Sequence, residues 1–125
     1  MASTKSRRNL EREDRIAMEI VVDAYDEQER AIGWYCYLQE HLQFPFKASC
    51  TAHRDVSPLQ VKEQVQVVGM PNEDECQHEI LVTIPWGEFQ LAVPLAQLSP
   101  AKGVDKMTKQ AVADWHYWVN TGYQY

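Results

Sequence analysis

The sequence predicts an α+β domain in which a long N-terminal helix, a small antiparallel sheet and a C-terminal helix follow one another along the chain. Three observations predict it. Residues 13–42 carry apolar side chains at helical spacing, residues 47–93 change to short Val-, Ile- and Thr-rich runs between turn residues, and the helical period returns after Pro100. A chain of 125 residues, 45% of them hydrophobic, suits one packed core.

Residues 1–12, which open MASTKSRRNL, are polar and basic without an apolar period, so they are expected to form a disordered tail ahead of a single domain over 13–125. From Glu13 to Leu42, at about 100° per residue, Ile20, Val21, Ala24, Tyr25, Ala31, Ile32, Tyr35, Leu38 and Leu42 share one arc. That arc should face the core. Gly33 costs about 1 kcal/mol relative to Ala inside a helix, which makes it the expected place for a bend or break. Phe44-Pro45-Phe46 ends the helix, because the residue before proline avoids helical angles.

The runs Lys47–Ala52, Gln64–Val68, Glu79–Ile84 and Glu88–Val93 read as strands, with Pro85-Trp86-Gly87 as a hairpin. Ser57-Pro58-Leu59 leading into Val65-Gln66-Val67-Val68-Gly69 follows a pattern of SH3-like barrels, so the small sheet is expected to curl into one. In the last helix Asp105 is the expected cap and Gly122 the stop. Met107, Ala111, Val112, Trp115, Trp118 and Val119 form its apolar face.

Charge and cysteine usage narrow the function classes. A net charge of -6 leaves no basic footprint for nucleic acid and favours cations or basic partners. No apolar run approaches the ~20 residues that cross a bilayer, and the first fifteen residues alternate charges where a secretory signal would be apolar. A cytoplasmic protein without membrane contact is therefore expected. Cys36, Cys50 and Cys76 are odd in number and lack a CxxC pair, so they are expected reduced and mostly buried. His41, His53, His78 and His116 show no i, i+4 pair, and Cys36 and His41 are five residues apart on different helix faces. No enzyme is expected.

The acids, in contrast, are concentrated. Nine of the eighteen lie between residues 11 and 40 against three basic residues, and four more are Glu73, Asp74, Glu75 and Glu79. On a continuous helix Glu19, Asp23, Asp26 and Glu27, at offsets of three, four and eight, would line the face opposite the apolar arc, flanked by Arg15 and Arg30. Like charges so spaced repel by a few tenths of a kcal/mol per pair. A divalent cation reverses the sign. Calcium takes six to eight oxygens from carboxylates, carbonyls and water, and the loop Met70-Pro71-Asn72-Glu73-Asp74-Glu75 is the natural second contributor. The pattern D-x-[DN]-x-[DN]-G is absent, which excludes an EF-hand. Two blander readings stand beside this one: a solvated helix face paired to Arg15 and Arg30, and an SH3-like interaction module docking basic protein partners on its acidic face. A homo-oligomer with a shared acidic interface is also compatible with the chain, since a second copy would supply further oxygens.

The blocks Glu19-Ile-Val-Val-Asp23-Ala-Tyr25, Glu29-Arg30-Ala-Ile-Gly33-Trp34-Tyr35, Phe44-Pro45-Phe46, Glu73-Asp74-Glu75-Cys76 and Asp114-Trp115-His116-Tyr117-Trp118 resemble the cyanobacterial calcium-binding protein family of the CcbP type. The resemblance spans roughly residues 13 to 123. It implies a small acidic cytosolic protein without EF-hands that binds calcium through surface carboxylates and buffers or senses the ion. Carried over by position, and weighted equally by charge geometry, Asp23, Asp74 and Glu75 are the first candidate ligands. Glu19, Asp26, Glu27, Glu29 and Glu73 come second.

Overall fold

The structure, a computed structural model, describes residues 10–121. Two helical pieces open it where one long helix is expected. The first, α1, covers residues 10–15 and continues as the π-helical turn Ile16–Ile20; the second, α2, spans Glu27–His41. The break falls at residues 21–26 because a new helix is capped there. Asp26 accepts a hydrogen bond from the Glu29 N–H at 2.8 Å, and the Glu29 carboxylate reaches back past the cap to accept one from the Tyr25 N–H at 2.8 Å, an arrangement that begins a helix rather than continues one. Asp23 adopts φ +60°, the left-handed conformation in which short polar side chains are enriched.

Gly33, the expected break, lies unbroken inside α2. A Cβ at Gly33 would sit 2.2 Å from the carbonyl oxygen of Ile20, so the glycine lets the π-helical turn cross α2 backbone to backbone. The break also resets the helical phase. Ala31, Tyr35 and Leu38 face the core as expected and are joined by Trp34 and Tyr37, whereas Tyr25 is 84% exposed and Ile32 is exposed. Of the tail expected over residues 1–12, residues 1–9 lie outside the described residues, while residues 10–12 are helical.

Five strands follow the helices: β1 Phe46–Cys50, β2 Gln64–Val67, β3 Leu81–Trp86, β4 Phe89–Pro94 and β5 Leu98–Pro100. They form an antiparallel sheet of order β2-β1-β5 and a hairpin β3-β4. The residues just after β2 stitch the two together: Val68 N–H donates to Thr83 O at 2.9 Å, and Thr83 N–H to Gly69 O at 2.9 Å. The expected SH3-like barrel is not closed. Among the described residues β4 pairs only with β3, and β5 stops after three residues, so no described strand joins the two free edges. β5 itself is too short to give an alternating pattern in the sequence. Trp86 pairs with Phe89 across the two-residue turn Gly87-Glu88, and Gly87 at φ +63° supplies the positive φ that the first position of a type II′ turn requires.

The last helix, α3, spans Lys106–Asn120 and is capped as expected by Asp105, which accepts from the Thr108 N–H at 3.0 Å. Ala111, Val112, Trp115 and Trp118 are buried; Met107 is exposed, and Gly122 lies outside the described residues. Trp34 of α2 meets Trp115 edge-on at 5.1 Å between ring centroids and Trp118 at 5.6 Å. These aromatic contacts join α2 to α3 at the centre of the core. Cys50 and Cys76 are buried and free, and Cys36 is exposed.

Candidate metal centre

The arginines decide which acids remain uncompensated. Asp114 is fully buried on α3 and accepts from Arg12 Nε at 2.8 Å, from Arg15 Nη2 at 2.7 Å and Nε at 2.9 Å, and from the Tyr37 hydroxyl at 2.8 Å. These bonds tie α1, α2 and α3 to one carboxylate. The bond to Asp114 raises the Arg15 pKa further, while burial first and the Asp114 bond second push the Tyr37 phenol well above its ordinary 10.0. Glu79, counted above with the acidic loop, is held by Arg54 in a two-pronged pair at 2.7 and 2.8 Å. Arg15 therefore points away from the acidic stripe it was expected to neutralise. Arg30 forms no ion pair within 4.0 Å among the described residues.

All eight candidate acids are exposed, and among the described residues none joins an ion pair. Glu19 lies on the π-helical turn and Asp23 in the break; Asp26, Glu27 and Glu29 start α2. The single helical face proposed for Glu19, Asp23, Asp26 and Glu27 does not exist, because the helix ends at Ile20 and a new one starts at Glu27. Asp26 and Glu29 already accept backbone N–H bonds, and the positive end of the helix dipole at this terminus favours these anions while opposing a cation. Glu73, Asp74 and Glu75 occupy a 3-10 turn, Glu73–Cys76, anchored by the buried Cys76.

That turn packs against α2. The Tyr35 hydroxyl of α2 donates to Pro71 O at 2.6 Å, and a small cavity between the two elements is lined by Gln28, Ala31, Ile32, Glu73, Asp74 and Gln77. Its polar lining is two carboxylates and two side-chain amides. An all-oxygen set of acceptors with no imidazole or thiolate suits a hard cation such as calcium and offers nothing to zinc or copper. No three His, Cys, Asp or Glu side chains gather as a metal cluster among the described residues. Two carboxylates and two amide oxygens leave several of calcium's positions to water. The residues thus fit a hydrated surface site and not an enclosed cage.

Gln28 and Gln77 escape a sequence reading that counts only charges, and Asp114 escapes one that looks only at clustered acids. Asp114 leaves a signal: it sits three residues after Ala111 and four before Trp118, on the buried face of the helix, where an acid needs partners. A wider concavity on the outer face of the three-stranded sheet presents Lys47 and Lys102, the wrong charge for a cation. No histidine is among the residues that line the cavity; His116 is partly buried, its Nε2–H donating to Leu95 O at 3.3 Å, and burial lowers its pKa from 6.5.

A family model for calcium binding, the CcbP family, matches residues 14–119. A crystal structure of CcbP from Anabaena superposes with a TM-score of 0.80 at 37% identity, covering 93% of this chain and 94% of that one. A calcium-binding protein in its calcium-binding form superposes with a TM-score of 0.80 at 35% identity, over 92% of this chain and 94% of that one. No curated protein matches. The family match spans both α2 and the acidic turn, and so the chain belongs to the CcbP family of calcium-binding proteins.

Proposed function

We propose that the chain is a cytosolic calcium buffer that takes the ion between α2 and the Glu73–Cys76 turn. Glu73 and Asp74 supply the carboxylates, Gln28 and Gln77 supply amide oxygens, and water completes the shell. Glu75, Glu27, Asp23 and Glu19 contribute field more than bonds: as exposed acids on neighbouring segments they raise the local cation concentration. One observation carries this reading. The fold commits Arg12 and Arg15 to Asp114 and Arg54 to Glu79, leaving the acids of α2 and the turn without a cationic partner among the described residues.

Buffering is favoured over sensing by how the two elements are fixed. Ala31, Tyr35 and Cys76 are buried in the core, and the Tyr35 to Pro71 bond ties α2 to the segment that leads into the turn. An ion arriving at the rim meets elements already locked into the core, so it has little to rearrange. Calorimetric titration tests the proposal: calcium should give a saturable heat at micromolar to low-millimolar concentration, and magnesium, which demands near-octahedral geometry and sheds water reluctantly, a much weaker one. Absence of calcium heat up to about 10 mM, an affinity below about 3 kcal/mol, would end it.

A further inference from the structure

The outer edge of β4 is an open row of backbone hydrogen-bonding groups, and its phase follows from the residues opposite. Pro85 pairs with Gln90 and has no N–H, so that pair cannot exchange hydrogen bonds. Thr83 pairs with Ala92, yet its N–H and C=O are bonded to Gly69 and Val68 on the other side. The N–H and C=O groups of Gln90 and Ala92 therefore point away from β3. Among the described residues nothing meets them: β4 has no second strand neighbour, and neither N–H donates to another group.

Monomeric proteins blunt such edges with charges, prolines, bulges or very short strands. β5 is blunted, being three residues long and ending in Pro100. β4 is not. It runs six residues, its proline comes last, and its exposed end carries Phe89, 76% exposed, beside Trp86, 43% exposed. Residues 89–101 contain no ionisable side chain, in a chain of net charge -6. Charge selects the occupant of this edge. Copies of an acidic chain repel one another over most of their surface, and here they meet without facing carboxylates; a basic peptide finds no carboxylate on this strand to prefer.

We infer that β4 is the self-association edge of the protein, pairing antiparallel with β4 of a second copy about a two-fold axis at Leu91. The pairing is isologous. Gln90 N–H donates to the second copy's Ala92 O and Ala92 N–H to the second copy's Gln90 O, and symmetry repeats both bonds. Phe89 then lies opposite the second copy's Val93, covering apolar surface that the hairpin tip leaves in water. The two Glu88 side chains fall at opposite ends, about 20 Å apart at strand rise, beyond the screening length of roughly 8–10 Å.

Sedimentation of the full chain across concentration, without calcium so that the result is independent of the metal site, tests the inference. The wild type should form dimers with a midpoint of tens to hundreds of micromolar, as expected for an interface of the small class. Ala92→Pro removes an N–H that β3 does not use, so the chain should keep its circular dichroism spectrum and become monomeric. Should that variant lose its fold, Phe89→Glu decides instead: at an exposed position it should leave the spectrum unchanged and weaken dimerisation at least about tenfold. A wild type that stays monomeric to about 1 mM, or a folded deciding variant that associates like the wild type, overturns the assignment.

Discussion

Replacing Gly33 by alanine sets two opposing effects against each other, and the structure gives the sign. In a helix interior alanine is favoured over glycine by about 1 kcal/mol. The added Cβ would, however, lie 2.2 Å from the Ile20 carbonyl oxygen, where real Cβ atoms keep at least about 3.0 Å. Both sides of the contact are backbone, and the turn that carries Ile20 is closed by the Val21 N–H to Ile16 O bond at 2.9 Å. No side chain can swing aside, so α1 and α2 must part by close to an ångström along their buried contact at Ile16 and Ile20. Overpacking of this kind costs about 1–3 kcal/mol, and a backbone-to-backbone clash belongs at the upper end. Net of propensity, Gly33→Ala should destabilise by about 1–2 kcal/mol, lowering Tm by roughly 4–8 °C. Urea unfolding with a common m-value measures it. Gly103→Ala, whose Cβ meets nothing within 4 Å, is the control and should stay within about 0.5 kcal/mol of the wild type. A Gly33→Ala protein as stable as the Gly103→Ala control would refute the close-crossing account.

Two further predictions concern buried polar groups. Asp114→Asn keeps the shape but leaves Arg12 and Arg15 without their counter-ion, and should cost about 3–5 kcal/mol in urea unfolding, with faster amide exchange over residues 10–20; a loss under 1 kcal/mol would contradict the network. Burial holds the His116 imidazole below 6.5, so as pH falls from about 7 to 5 the unfolded chain takes up a proton that the folded chain resists, and stability falls through that window. His116→Gln should flatten the decline, and an unaltered slope would show that His116 is not its source.

Much of the fold is legible in the sequence because its signals are local. Asp105 caps α3 as its position ahead of an apolar period implies, and the four longer strands lie within two residues of where Val, Ile and Thr cluster. The N-terminal break is local too, but it is written in Asp26 and Glu29, capping residues that a calcium reading takes as candidate ligands, Asp26 as part of the stripe. Counting them as ligands hides them as caps. Gly33 shows the opposite difficulty: only tertiary crossing by Ile20 explains it, and propensity alone misreads it as a helix breaker. Barrel closure depends on which edges find partners, which strand-length patterns do not carry. At the site, the acidic turn and its oxygen chemistry are readable from residues 70–75, whereas its juxtaposition with Gln28 of α2, and the removal of Arg15 to Asp114, arise only in the folded chain.

The location of the ion is tested most directly by calcium calorimetry on Glu73→Gln/Asp74→Asn beside a charge-matched variant, Asp55→Asn/Glu88→Gln, whose acids are exposed and do not line the cavity. Both doubles remove two negative charges, so general attraction falls equally. Affinity should fall at least about tenfold, roughly 1.4 kcal/mol, in the first and less than about twofold in the second. Equal losses would make the acidic surface a diffuse cation atmosphere, and a first double that binds like the wild type would place calcium elsewhere.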